Sequence, residues 1–200
     1  MSFPFPTERT AHKSVTLHCF SPPVMLATFL IEFALAAYAL IRYRRRVFGR
    51  LAALMLVLLG TFQFAEYAIC TTGHPQPWVA IGWIAITFLP AIGVHLTARI
   101  TRPSMWVPFG YGIALVFAVA IIAIPTVVTA AACNGKFVVF ATETLFARAY
   151  AIYYLGYLAL GVVQLSRSLI HHRGPRRLEL WMLVGYLAFI LPTGITYLIA

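Results

Sequence analysis

The chain has 200 residues, 62% of them apolar by class and 10% charged, with a net charge of +10. So much apolar content argues against an ordinary globular domain and for a protein embedded in a bilayer. The basic excess would suit nucleic acid on a soluble surface, but here it lies in the gaps between apolar runs. There, contact with anionic lipid headgroups is the cheaper reading, and no nucleic-acid partner is expected.

Residues 1–22 are polar and carry Pro4, Pro6 and Pro22, with no apolar core behind a basic start. They read as an irregular external arm rather than a cleaved signal peptide. Residues 23–200 read as one transmembrane domain. A hydrocarbon core about 30 Å thick needs roughly 20 apolar residues of helix. Six runs approach that length: 23–42, 51–70, 78–98, 105–130, 146–169 and 178–199. None alternates apolar with polar as a barrel strand would, so the expected fold is all-α, a bundle of six transmembrane helices.

The gaps at 71–77 and 101–104 are short and proline-bearing, which forces antiparallel neighbours among helices 1 to 4. Asn134–Gly135, between apolar flanks, signals a small external hairpin between helices 4 and 5. Pro90, Pro125 and Pro192 fall within the third, fourth and sixth runs, where each can kink its helix. Tyr150, Tyr153, Tyr154 and Tyr157 recur at a spacing of three and four, so they share one face of helix 5. Packing and interfacial anchoring account for them more economically than a cofactor pocket.

Eleven of the fifteen basic residues fall in alternate gaps: Arg42, Arg44, Arg45, Arg46 and Arg50; Arg99 and Arg102; Arg167, Arg173, Arg176 and Arg177. The positive-inside rule puts that side in the cytoplasm and both termini outside. Arg44, Arg45, Arg46, Arg173, Arg176 and Arg177 are the candidate contacts for lipid headgroups or an acidic partner. Cys19, Cys70 and Cys133 all fall on the external side, where one disulfide can form with one thiol left over; the spacing does not choose the pairing.

Away from the edges of the apolar runs, where Arg148, Arg167 and Glu179 fall, the charge-bearing side chains are Glu32, Glu66 and His95, with Gln63 as a neutral companion. At about 1.5 Å per residue, Glu32 lies roughly 14 Å below the external face, Glu66 roughly 7 Å and His95 about 25 Å. A Glu32–Gln63–Glu66 cluster between helices 1 and 2 is therefore allowed, with His95 out of its reach. The plain reading is glutamates that join helices; the sharper one is a proton-sensitive switch or a ligand site. The sequence has no aspartate, no paired CxxC and no glycine-rich phosphate loop, so no metal, cofactor or catalytic group is expected. Ser166 and Ser168 read as part of the solvated helix end near His171 and His172. Small residues that let helices approach closely are Ala34, Ala36, Ala37, Gly110, Gly112, Gly156 and Gly161.

The stretch FAEYAIC with its following TTGHPQPWVAIGWIAITFLPAIGVHLTARIT, and the later RRLELWMLVGYLAFILPTGITYL, resemble the seven-helix N-terminal region of bacterial histidine kinases and diguanylate cyclases. The matching positions are Glu66, Pro90, His95, Arg177 and Gly185. The family's seventh helix and output domain have no counterpart in this sequence. The resemblance implies a sensor-like bundle of the bacterial inner membrane that signals through a partner. The expected function is therefore non-enzymatic: binding other membrane components, lipid or protein, as an accessory subunit or sensor-like module. The alternative is a receptor or proton-coupled transporter built around Glu32, Gln63 and Glu66.

Overall fold

The computed structural model describes residues 22–72, 75–133, 138–171, 177–178 and 180–188. The N-terminal arm, Arg173, Arg176, Asn134–Gly135 and the second half of the sixth run lie outside the described residues. Five long helices are present: α1 (Pro22–Tyr43), α2 (Val47–Thr71), α3 (Pro75–Ile100), α4 (Trp106–Ala123) and α5 (Thr144–His171). All five are long and apolar enough to cross a membrane. Residues 177–178 and 180–188 are also helical.

The length of the fourth run predicts helix as far as 130, but α4 stops at Ala123. Pro125 is the cause: the residue before a proline is steered out of the α region, and Ile124 sits at φ −126, ψ 81. Beyond it, the β-branched Val127, Val128 and Thr129 favour extended backbone. Strand β1 (Val128–Cys133) pairs antiparallel with β2 (Val138–Thr142), Val128 opposite Thr142, with an irregularity between Ala130 and Ala132. The Asn-Gly signal thus marks a real hairpin. At the other end α2 starts at Val47, so Arg50 belongs to its first turn rather than to the loop.

Helix α3 is the hub. It packs on α2, α4, α5 and β1, whereas α4 and α5 touch each other sparsely and α1 leans on α2. Accordingly α3 is buried over 61% of its apolar stretch, against 17–28% for the other four helices. Met25, Glu32 and Ala36 form the buried stripe of α1, while Leu30, Ile31, Leu35, Tyr38 and Ile41 face outward. The close approach of α1 to α2 depends on Gly60, where a Cβ would lie 2.8 Å from the Phe33 ring and 3.3 Å from Glu32 Oε2.

At the hairpin end, Ile69, Val79, Ile121, Val127 and Val128 form one apolar cluster, and Gln76 Nε2 donates to the Pro125 carbonyl at 3.1 Å. At the arginine-bearing end, Leu51, Ile92 and Leu96 form another. Between them an aromatic layer of Phe117, Phe146, Tyr150, Tyr153 and Tyr157 joins α4 to α5, with Trp83 of α3 5.0 Å from Tyr150.

Candidate functional site

Two polar regions lie within the helices, and they differ in how far their groups are satisfied. The first is the α1–α2 seam. Glu32 and Glu66 are both buried, and Glu32 Oε2 has no hydrogen-bond partner among the described residues. Glu32 is seated against Gly60, while Glu66 lies almost two turns further along α2. Gln63 lies one helical turn from both Gly60 and Glu66, between the levels of the two acids.

The second region ties α3 to α5 and α4. Pro90 has no N–H, so the Ile86 carbonyl lacks its usual helical partner. In the next residue the Thr87 carbonyl accepts the Tyr153 hydroxyl at 2.9 Å, and Thr87 Oγ1 lies 3.4 Å from the Tyr150 hydroxyl. Tyr157 donates to the Trp106 carbonyl at 3.1 Å, and its ring packs where Gly110 leaves room. The tyrosine face read from spacing is thus a set of helix ties. Tyr153→Phe is expected to lower stability by about 1 kcal/mol, the usual scale of one interhelical hydrogen bond; a thermal melt in detergent checks it.

Nearer the arginine-bearing end, Thr97 Oγ1 donates to Gln164 Oε1 at 2.9 Å while also lying 2.8 Å from the Val94 carbonyl. Gln164 Nε2 donates to Ser104 Oγ at 3.0 Å, and the Trp106 backbone N–H approaches the same oxygen at 3.3 Å. Ser168 is 7% exposed and its Oγ has no partner among the described residues, which corrects its reading as part of a solvated helix end.

His95 is part of this end as well. A guanidinium can only donate, so the 3.3 Å contact from Arg99 Nε makes His95 Nε2 an acceptor. The ring hydrogen then sits on Nδ1 and is donated to the Tyr111 hydroxyl at 3.1 Å. His95 is thereby a link between α3 and α4.

Arg44, Arg45 and Arg46 are exposed in the α1–α2 turn, and Arg177 is exposed as well. Cys70, at the end of α2, is disulfide-bonded, while the side chains of Cys19 and Cys133 lie outside the described residues. Among the described residues no three His, Cys, Asp or Glu side chains gather as metal ligands. Of the small residues, Gly110 and Gly161 are filled by this chain's own tyrosines and Ala36 is buried, so they are internal contacts. At Gly112 and Gly156 an added Cβ would meet nothing within 4 Å.

Sequence reasoning missed Gln164, Ser104 and Thr97, whose link joins positions about 60 residues apart and leaves no periodic signal. No protein-family model, curated protein or solved structure matches this chain.

Proposed function

We propose that the chain is a non-catalytic integral membrane protein that works by binding other membrane components, as an accessory subunit or a sensor-like module in the manner of the seven-helix family it resembles. The observation that carries this is the pair of open small-residue positions, Gly112 on α4 and Gly156 on α5, each set in an exposed apolar stripe. Ile113 and Val116 accompany the first, Ile152 and Leu155 the second. Such faces admit close contact with another helix. In this reading a sixth helix completes the bundle, the arginine-bearing turns lie in the cytoplasm, and the membrane is a bacterial inner membrane. The disulfide at Cys70 supports that orientation, since a bridge persists on the oxidising side and Cys70 lies at the end opposite the arginines.

Native mass spectrometry of gently extracted protein is expected to find a stoichiometric protein partner. Gly112→Leu or Gly156→Leu should remove it while leaving the thermal midpoint of the isolated chain in place. Replacing Arg44, Arg45 and Arg46 by glutamine should weaken the assembly without abolishing it. A lone chain carrying a small molecule would sink this reading. It would favour the second one, a receptor or transporter using Glu32, Gln63 and Glu66, for which the unpartnered Glu32 Oε2 is the supporting observation.

A further inference from the structure

Between the α3–α4 turn and the last turns of α5 lies a cleft of about 450 Å³. That falls within the range of roughly 300–1,000 Å³ occupied by small-molecule sites. Its polar lining comes from Arg102, Ser104, Gln164, Arg167 and Ser168.

Hydrogen-bond bookkeeping gives this lining a mainly donating character. The one side-chain carbonyl, Gln164 Oε1, is turned to Thr97 at 2.9 Å. Ser104 Oγ takes contacts from Gln164 Nε2 and the Trp106 N–H, which fills its acceptor sites and leaves its own hydrogen to be donated. Ser168 Oγ is buried with no partner among the described residues. Arg102 can only donate, and so can Arg167, some of whose capacity is already engaged elsewhere. No carboxylate of a described residue lines the cleft. A site whose side chains offer donors and the positive charge of Arg102, with a buried hydroxyl unmatched, is complementary to an anion with several acceptor oxygens.

The placement narrows the anion. The cleft sits where two apolar helices end among arginines, the level at which headgroups lie. Leu160 and Val163 of α5 form its apolar side. Trp106, on its rim, lies 6.3 Å from Phe109, the first aromatic of an apolar groove along α4 that continues past Gly112 to Val116. Charge at one end and an open apolar track at the other is the profile of a lipid.

We propose that this cleft binds the phosphate of an anionic phospholipid, with Arg102, Arg167, Ser104 and Ser168 donating to its oxygens and an acyl chain lying in the α4 groove. The proposal rests on the chain being a binder of membrane components and names one such component, which in the α4 groove takes the Gly112 face that a partner helix would otherwise cover.

The test is to strip the purified full chain of lipid in a neutral detergent, then offer phosphatidylglycerol and phosphatidylcholine in equal amounts and count retained lipids by native mass spectrometry. One retained phosphatidylglycerol per chain is expected, in preference to phosphatidylcholine, whose ammonium has no acid to meet. Arg102→Gln and Arg167→Gln should each reduce that retention roughly tenfold, the scale of a lost charge-assisted hydrogen bond. Arg148→Gln, at the far end of α5, should leave it unchanged.

Ser168→Ala covers the case in which an arginine variant fails to fold. Removing a hydroxyl that merely lies buried and unpaired would leave retention as it was, whereas removing a ligand lowers it. Equal retention of both lipids, or full retention in Arg102→Gln and Ser168→Ala, would overturn the proposal. Glycerol 3-phosphate or inorganic phosphate competing as strongly as the lipid would overturn the lipid assignment. These readouts are taken on the purified chain without a partner, so the protein-partner reading can fail without moving them.

Discussion

Replacing Cys70 by serine is expected to lower stability by about 4 kcal/mol, the loop-closure value for a bridge spanning some fifty to sixty residues. Either partner gives a loop of that size, because Cys19 and Cys133 lie at similar distances in sequence on opposite sides of Cys70. The figure is an upper bound, since spanning helices stay formed when tertiary packing is lost and leave less chain freedom to restrain. Cys70 ends α2 beside the cluster of Ile69, Val79, Ile121, Val127 and Val128, so loosening it also exposes the layer beneath the hairpin. Thermal melts with and without reductant should reproduce the loss in the unmutated protein. Cys19→Ser and Cys133→Ser then identify the pairing: one should behave like Cys70→Ser and become insensitive to reductant, the other should keep the bridge. A midpoint that reductant leaves in place would sink the prediction.

The second large effect is expected at Tyr186, whose ring fills the gap left by two glycines. A Cβ at Gly161 of α5 would lie 2.8–3.0 Å from the Tyr186 ring atoms and hydroxyl, and a Cβ at Gly93 of α3 would collide with the Tyr186 hydroxyl. Overfilling a packed site in this way costs about 1–3 kcal/mol. The two alanine variants should nevertheless differ in their rescue. At Gly93 the hydroxyl is the obstacle and the ring carbon behind it is 3.3 Å away, so Tyr186→Phe should recover most of the loss. At Gly161 the ring itself is in the way and Tyr186→Phe should recover little. Tyr186→Phe alone should be neutral or stabilising, because the hydroxyl is buried with no partner among the described residues. Equal rescue of both glycine variants would show that Tyr186 does not bridge α3 and α5 in this way.

What the sequence disclosed follows from how its signals are carried. Bilayer-length apolar runs are local, so five of the six expected helices could be read directly, and of the sixth run residues 178 and 180–188 are helical among the described residues. The hairpin was legible from Asn134–Gly135, although Pro125 is a stronger stop than its reading as a kink allowed, and α4 is shorter for it. The tyrosine face of α5 was visible as a period, but not its partners, since Thr87 and Trp106 lie about 50 to 65 residues away. The anion cleft was not legible at all. Gln164 and Ser104 are unremarkable one by one, and what makes them a site is which of their hydrogen-bonding capacities are already spent. Glu32 and Glu66, the most conspicuous residues in an apolar sequence, were legible one by one, and both are buried.

The role of α3 as hub bears on how the molecule is made. A chain delivered to the membrane from its N-terminus offers α1 first, then α2, then α3, and each newcomer finds its principal contact already in place. Helix α4 follows the same rule by docking on α3. Helix α5 must reach back past α4 and the hairpin to find its seat, and Tyr186 must reach back further still to meet Gly93. The docking of α5 thus waits on distant pieces, and it is the step that closes the headgroup cleft.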